Sequence, residues 1–514
     1  MRLSTWLGIG ALTLSCCLAP AAAIAAQPAA AVSPVCVEND GDPNSGLYSI
    51  TDINYDALSD DVVGVPNAAE AGHAGAGAVD IHYGSSQSVP ARTQRFDASL
   101  FPATGGPETN AAFGASVAFT HLTTRDDGGC ADLLIGAPGA NGGRGSVVIA
   151  RGSNAGVTAE GATVLSGSSA GERFGSVVVA DDDDLWIGAP DRTVDGAVQA
   201  GAIDHYRWAN GTATLVQTLT ESTPGVPGLA EAYDHFGSVL SIEHYGALVV
   251  GEPDEDVGTG ARDAGTVTVV FTDRTTGKLT RARTFAQNSP GVPGTSEAGD
   301  HFGASVTSVA NNNAAGTANI AVGVPGESLG RLAGAGTVDL FTVKASSVNP
   351  SSASALSQDS PGVPGADEAG DHLGQQVDYI GNYLCVSMPG EDLGSAVDTG
   401  RVLCSGVGTV GGPGKHGWVS YQQGSTAGGP SGSPQSGSAL GTYLSRSAYS
   451  LAGDYFAGGE SVVIGAPGVT LGGKKDVGAV FYDTGVTDSG GQVAGERYGV
   501  PAFTVSNGAS YDTR

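Results

Sequence analysis

The chain has 514 residues, of which 82 are glycine and 25 proline, and only 15% are charged. So many breakers argue against long helices and favour short strands joined by tight turns, while 40% hydrophobic residues argue against disorder. A formal net charge of −29, from 52 acidic and 23 basic residues, argues against nucleic acid, whose binding needs clustered Lys and Arg; it suits a solvated acidic surface, divalent cations or cationic partners.

The first segment, MRLSTWLGIGALTLSCCLAPAAAIAAQPAA, has one Arg, an apolar stretch from Trp6 to Leu18, and then small residues. This pattern predicts a secretory signal peptide over 1–26, cleaved near Ala23–Ala30, and hence a secreted protein. The apolar stretch is shorter than the ~20 residues of a membrane span, and no later segment qualifies, so no transmembrane segment is expected. Cys16 and Cys17 sit where a lipoprotein is cleaved, but TLSC and LSCC match such a site poorly. Beyond the signal remain Cys36, Cys130, Cys385 and Cys404. An even count in an exported chain predicts disulfides. Cys385 and Cys404 fall on two successive predicted strands, where a hairpin bridge is expected, which leaves Cys36 with Cys130.

From residue 62 onward one strand ending in proline recurs: VVGVP (62–66), LIGAP (134–138), WIGAP (186–190), VVGEP (249–253), AVGVP (321–325), CVSMP (385–389) and VIGAP (463–467). The prolines lie 52 to 78 residues apart, room for one small sheet each. Each is followed by a Gly-rich loop and a second strand, as in AGTVTVVFT (264–272) and AGTVDLFTV (335–343). A hairpin often comes next, with Asn210-Gly211 a strong two-residue turn signal. Aromatic-Gly or Leu-Gly pairs open one further strand: Phe113-Gly114, Phe174-Gly175, Phe236-Gly237, Phe302-Gly303, Leu373-Gly374, Leu440-Gly441 and Tyr498-Gly499. These pairs are out of phase with the prolines. Four antiparallel strands per unit and seven units predict an all-β, seven-bladed β-propeller over 34–506, with 507–514 a C-terminal tail. The phase shift predicts a ring closed by strands from both chain ends, which protects sheet edges. The strand led by Tyr498 is expected to complete the blade begun by residues 47–84; the alternative gives that role to GLYSITD (46–52).

The aromatic-Gly pairs followed by Gly-Ala-Pro strands resemble FG-GAP repeats, which build the seven-bladed head of integrin α subunits. The connectors TPGVPGLAEAYDHFG (223–237), SPGVPGTSEAGDHFG (289–303) and SPGVPGADEAGDHLG (360–374) look like the secreted bacterial type. They are expected to join the outer strand of one blade to the inner strand of the next, with the Phe packed between blades beside a glycine that lets backbones approach. Two other copies carry Glu-Arg in place of Asp-His, so Asp300 and His301 read as a local ion pair or hydrogen bond, not a catalytic dyad.

The resemblance also implies calcium. Family members carry loops of the form D-x-[DN]-x-D-G-x-x-D, in which alternating side chains aim oxygens at one point and suit a hard cation. DINYDALSDD fits with Asp52, Asn54, Asp56 and Asp60, although Ala57 stands where the pattern has glycine. TTRDDGGCAD keeps Asp126, Asp127 and Asp132 with the spacing shifted by one. ADDDDLWIG (180–188) is too short for such a loop and reads as a solvated turn. Alternation puts these loops on one face and the connectors on the other, together with the acidic loops 254–265 and 391–400. In integrin heads that second face binds ligand and the partner subunit.

Catalytic signals are poor. GSSAG (167–171) places Ser169 in a nucleophile-elbow pattern, but that motif needs a strand-to-helix turn and this copy lies in a connector. The nine histidines show no zinc spacing. The sequence therefore reads as a secreted, calcium-stabilised, monomeric propeller that binds an extracellular protein or carbohydrate without turnover. The alternatives are an exported phospholipase- or glycosidase-like hydrolase and a docking subunit of an envelope assembly.

Overall fold

Runs of Val, Ile and small residues fold the chain into short strands, and the second and third strands of a sheet are buried on both faces, as Ala247–Glu252 and Thr317–Val324 are at every position. The computed structural model describes residues 51–505 apart from 57–59, 85–91, 123–128, 182, 244–246, 311–316, 345–346, 381–382, 408–412, 425–432, 448–460, 471–478, 484–496 and 499–503. The predicted signal peptide, Cys36, Asp126, Asp127 and the C-terminal tail lie outside the described residues.

The described strands form seven four-stranded antiparallel sheets, and the fold is a β-propeller of four-stranded antiparallel blades. A typical blade runs Val239–Glu243, Ala247–Glu252, Thr266–Thr272 and Leu279–Phe285 in spatial order. The next runs Ser305–Ala310, Thr317–Val324, Thr337–Lys344 and Ser347–Leu356. First strands are innermost: Ala118, Val179, Ser241, Thr307, Asp378 and Leu444, from six sheets, line one cavity of about 160 Å³. In the sheet of Asp61–Val65 the innermost place is taken by Thr504–Val505, with Val63 opposite Val505. Tyr498 itself lies one blade earlier, where Arg497–Tyr498 pairs with Val480 and Phe481 as an outermost strand. Thr51 and Asp52, the described end of the 46–52 alternative, are not in a strand.

The core lies between sheets. Phe302 packs with Val267 and Phe285 of one blade and Val322 and Phe341 of the next, and Phe174 and Phe236 stand at two further seams. A smaller cluster joins Val63, Val65 and Ala78 to Val463. Among the described residues five seams close by a backbone bridge from a glycine to the connector's Phe or Leu, as in Gly145 to Phe174 and Gly201 to Phe236. Only glycine fits there: a Cβ on Gly265 would lie 2.2 Å from the Phe302 carbonyl oxygen, and one on Gly303 (φ 98°) would lie 2.6 Å from that of Thr266. The connectors are thus blade seams. Cys385 and Cys404 face each other across an antiparallel pair and are disulfide-bonded, as the sequence predicts. Cys130 is also disulfide-bonded.

Candidate functional site

Two repeated features supply the mouth of the propeller axis: the residue after each strand-ending proline, and the residue before each connector aromatic. The second is left-handed in six copies, at Ala112, Arg173, His235, His301, His372 and Ala439, with φ between 49° and 55°. None is glycine, so each costs backbone strain that the seam must hold in place. Arg173 and His235 thereby reach a depression of about 250 Å³ that also touches Pro138, Pro190, Asp191, Asp254 and Tyr443. Around it runs an arc of charge. Arg173 lies 3.9 Å from Asp191, which lies 3.7 Å from His235 Nε2. His235 Nδ1 is 2.8 Å from Asp254 Oδ2, and His301 Nδ1 is 3.7 Å from Asp254 Oδ1. The hydrogen bond to Asp254 holds the His235 pKa above its ordinary value, against the effect of burial.

This geometry corrects the reading of the Asp-His pairs. The neighbours in sequence are not bonded to each other. Each Asp accepts from the backbone three residues earlier, Asp300 Oδ2 from Glu297 N at 2.6 Å and Asp371 Oδ2 from Glu368 N at 2.9 Å. The His rings turn instead toward the preceding blade's loop; His301 Nδ1 and His372 Nδ1 lie 3.1 and 3.0 Å from the carbonyl oxygens of Pro253 and Pro325. The acidic loops are likewise not a uniform exposed face. Asp256 and Asp392 accept from the backbone N–H of Asp263 and Asp398, while Asp300 and Glu391 are buried.

At the opposite end, the calcium-loop candidates share one register position, five residues before the last residue of the Pro-ended strand. Asp132 there accepts from Arg151 Nε at 2.9 Å and from the N–H groups of Leu122 and Gly152. Asp184 is held by Arg207 through two bonds of 2.9 Å and lies 2.8 Å from His205 Nε2. It is therefore part of a half-buried ion pair and not a solvated turn. In the first blade Tyr83 stands where Arg151 and Arg207 stand in the others. Asp60, fully buried, accepts from Ile53 N at 2.8 Å and Gly84 N at 2.9 Å. Asp52 Oδ1 accepts from Asp56 N, and Asn54 Nδ2 donates to Asp56 Oδ2 at 2.9 Å. Asn54 Oδ1 is buried without a partner. Burial, with Asp52 and Asp56 adding repulsion, pushes Asp60 up to about 8. Two buried carboxylates and an orphaned amide oxygen, with Tyr83 in the place that arginine takes in the two other blades, fit a hard cation. Ser169 lies in an exposed bend after Thr158–Ser166, with a strand and no helix following.

The seams hold a further set of groups that sequence reasoning missed. An arginine bridges two acids in two blades: Arg95 between Glu70 and Asp80, and Arg192 between Glu172 and Asp204. In two connectors a glutamine does similar work, Gln287 donating to Glu327 and Gln358 to Glu391, each at 2.7 Å, with Arg401 also on Glu391.

No family model and no curated protein matches this chain. Among solved structures it is similar to a Bacteroides fragilis protein described as a candidate 6-phosphogluconolactonase, at 10% identity and a TM-score of 0.46, over 87% of this chain and 97% of the other. Among the described residues no helix is long and apolar enough to cross a membrane.

Proposed function

We propose that this chain is a secreted, non-enzymatic propeller of FG-GAP type whose axial mouth binds an extracellular ligand. The observation that carries the reading is the arc Arg173–Asp191–His235–Asp254, presented by successive blades around one depression. Rigid strands hold these loop-borne groups at fixed separations, which suits recognition. Tyr233, 58% exposed, sits edge-on to His235 with ring centroids 6.5 Å apart. An aromatic face beside fixed carboxylates and a guanidinium is the chemistry that holds a sugar, so a carbohydrate is the ligand class we favour over a protein.

The fold completes this reading as a seven-bladed ring, supported by the pairing of Val63 with Val505 and the packing of Val463 against the first blade. Calcium at Asp52, Asn54, Asp56 and Asp60 would neutralise a buried acidic loop and brace that blade. The Cys385–Cys404 disulfide fits an oxidising compartment.

The test is binding of the mature chain to a glycan and cell-envelope array, in calcium and in EDTA, alongside Arg173→Ala and Asp191→Asn. A glycan hit that loses about tenfold or more in affinity in both variants supports the mouth as the site, since a charged hydrogen bond is worth ~1.5–3 kcal/mol. Binding untouched by both variants, or steady hydrolysis of a bound glycan, overturns the reading.

A further inference from the structure

The connector between the third and fourth blades breaks the pattern of its two sisters. Glu221 stands where they have Gln287 and Gln358, and it occupies the same seat. A Cβ on Gly228 would lie 2.2 Å from Glu221 Oε1, and the equivalent Gly294 and Gly365 meet Gln287 Nε2 at 2.6 Å and Gln358 Nε2 at 2.5 Å. The sister amides each donate to the glutamate of the adjacent loop, but Glu221 has no N–H to offer Glu255. A second change falls beside it. The residue before the strand-ending proline is Val65, Ala137, Ala189, Val324, Met388 or Ala466 in the other six copies, and here it is Glu252.

The three glutamates converge. One oxygen from each of Glu221, Glu252 and Glu255 lies within 4.8 Å of the others. Glu221 and Glu252 are 3% and 1% exposed, and Glu255 is half-buried on the solvent side. Glu221 Oε2, Glu252 Oε1 and Glu255 Oε2 are buried without a hydrogen-bond partner. Thr266 donates to the other oxygen of Glu252 at 3.2 Å. Among the described residues no arginine or lysine pairs with any of the three, whereas Arg192 serves the preceding seam and Arg401 the one that carries Gln358. Burial and the adjoining carboxylates push Glu255 up to about 9 and hold Glu221 and Glu252 above the ordinary range.

We propose that Glu221, Glu252 and Glu255 form a divalent-cation site of calcium type, in which the ion takes the place that arginine or an amide fills at the other seams. Oxygens at ~2.3–2.6 Å from one ion are at most about 5 Å apart, which is the spread of this cluster. Three carboxylates with no cationic side chain need a charge to balance them, and an all-oxygen donor set selects a hard ion. The site differs from the Asp52–Asp60 loop in place and in residues, and it does not depend on that loop's binding calcium.

The experiment counts calcium bound by the full mature chain after EDTA treatment, by calorimetry and equilibrium dialysis. Glu221→Gln recreates the sister amide and Glu252→Val the sister strand end, so both keep a packing already present elsewhere in the fold. Each is expected to lose one bound ion per chain, and Glu221→Gln to lose less melting temperature in EDTA than the wild-type protein does. Asp60→Asn reports the loop separately and loses a different ion, so loss there with full retention in the two seam variants would overturn this proposal alone. Failure of wild-type protein to bind calcium, magnesium or manganese would overturn it as well, leaving the glutamates neutralised by protons. Should Glu252→Val not fold, the ion count of Glu221→Gln decides.

Discussion

Gly303 shows how a single residue type is forced. Its positive φ and the 2.6 Å approach of the Thr266 carbonyl oxygen leave no room for a methyl group. Gly303→Ala is therefore expected to cost more than about 1 kcal/mol, read by urea unfolding. Asp339 is forced by nothing visible. It is buried, both its oxygens lack partners, and burial beside Glu327 and Asp300 raises its pKa well above the ordinary value. Its counterparts Asp80 and Asp204 have arginines, and the second blade has Val148 in that place. A raised carboxyl pKa gives stability that is full below the unfolded value of 3.8 and is lost as pH rises through the folded one. Asp339→Val should thus stabilise the protein at pH 8 by roughly 1–3 kcal/mol, the cost of an unsatisfied buried group, and do less at pH 4. Thermal melts at the two pH values check this. At the mouth, Asp254→Asn should bring His235 back down toward its ordinary pKa, measured by NMR titration of the ring.

At the scale of the element, the seam is the unit that the sequence spells out. Phe302 is fully buried between two blades, and Phe302→Ala should cost about 3–5 kcal/mol by chemical denaturation. The repeated strand ends, the aromatic-Gly pairs and the Cys385–Cys404 hairpin were all legible, because each is local or recurs at a readable interval. The polar chemistry of the seams was not, since it joins a connector, a strand end and a loop more than 30 residues apart, as Glu221 and Glu255 are. One signal was available: in the aligned strands, VVGEP carries the only acidic residue before its proline. The Asp-His pairs misled for the opposite reason. Adjacency in sequence suggested a bond, but a left-handed backbone at His301 sends the two side chains to different neighbours.

For the whole molecule, the described seams balance their acidic groups in different ways: by arginine at Arg95 and Arg192, by an amide at Gln287 and Gln358, and, at Glu221, Glu252 and Glu255, by the cation proposed above or by protons. Their balance makes the fold sensitive to pH. Removal of residues 499–514 would leave Asp61–Val65 without its inner partner, and a lowered melting temperature in that truncation is expected if the two-residue strand Thr504–Val505 closes the ring. A melting temperature equal to that of the full chain would count against closure.

The pairing of Val63 with Val505 joins residues about 440 positions apart, and this sets a timetable for biosynthesis. At ~5–20 residues per second a ribosome needs on the order of half a minute or more between them. Throughout that interval the first sheet offers Asp61–Val65 as an open, apolar edge, and closing so long a loop costs about 5 kcal/mol of chain entropy. A nascent chain in that state is a target for other strands, including those of its own near-identical later repeats. The pace of synthesis, or a chaperone that shields the edge, would decide how much of the product reaches the state in which Val63 pairs with Val505.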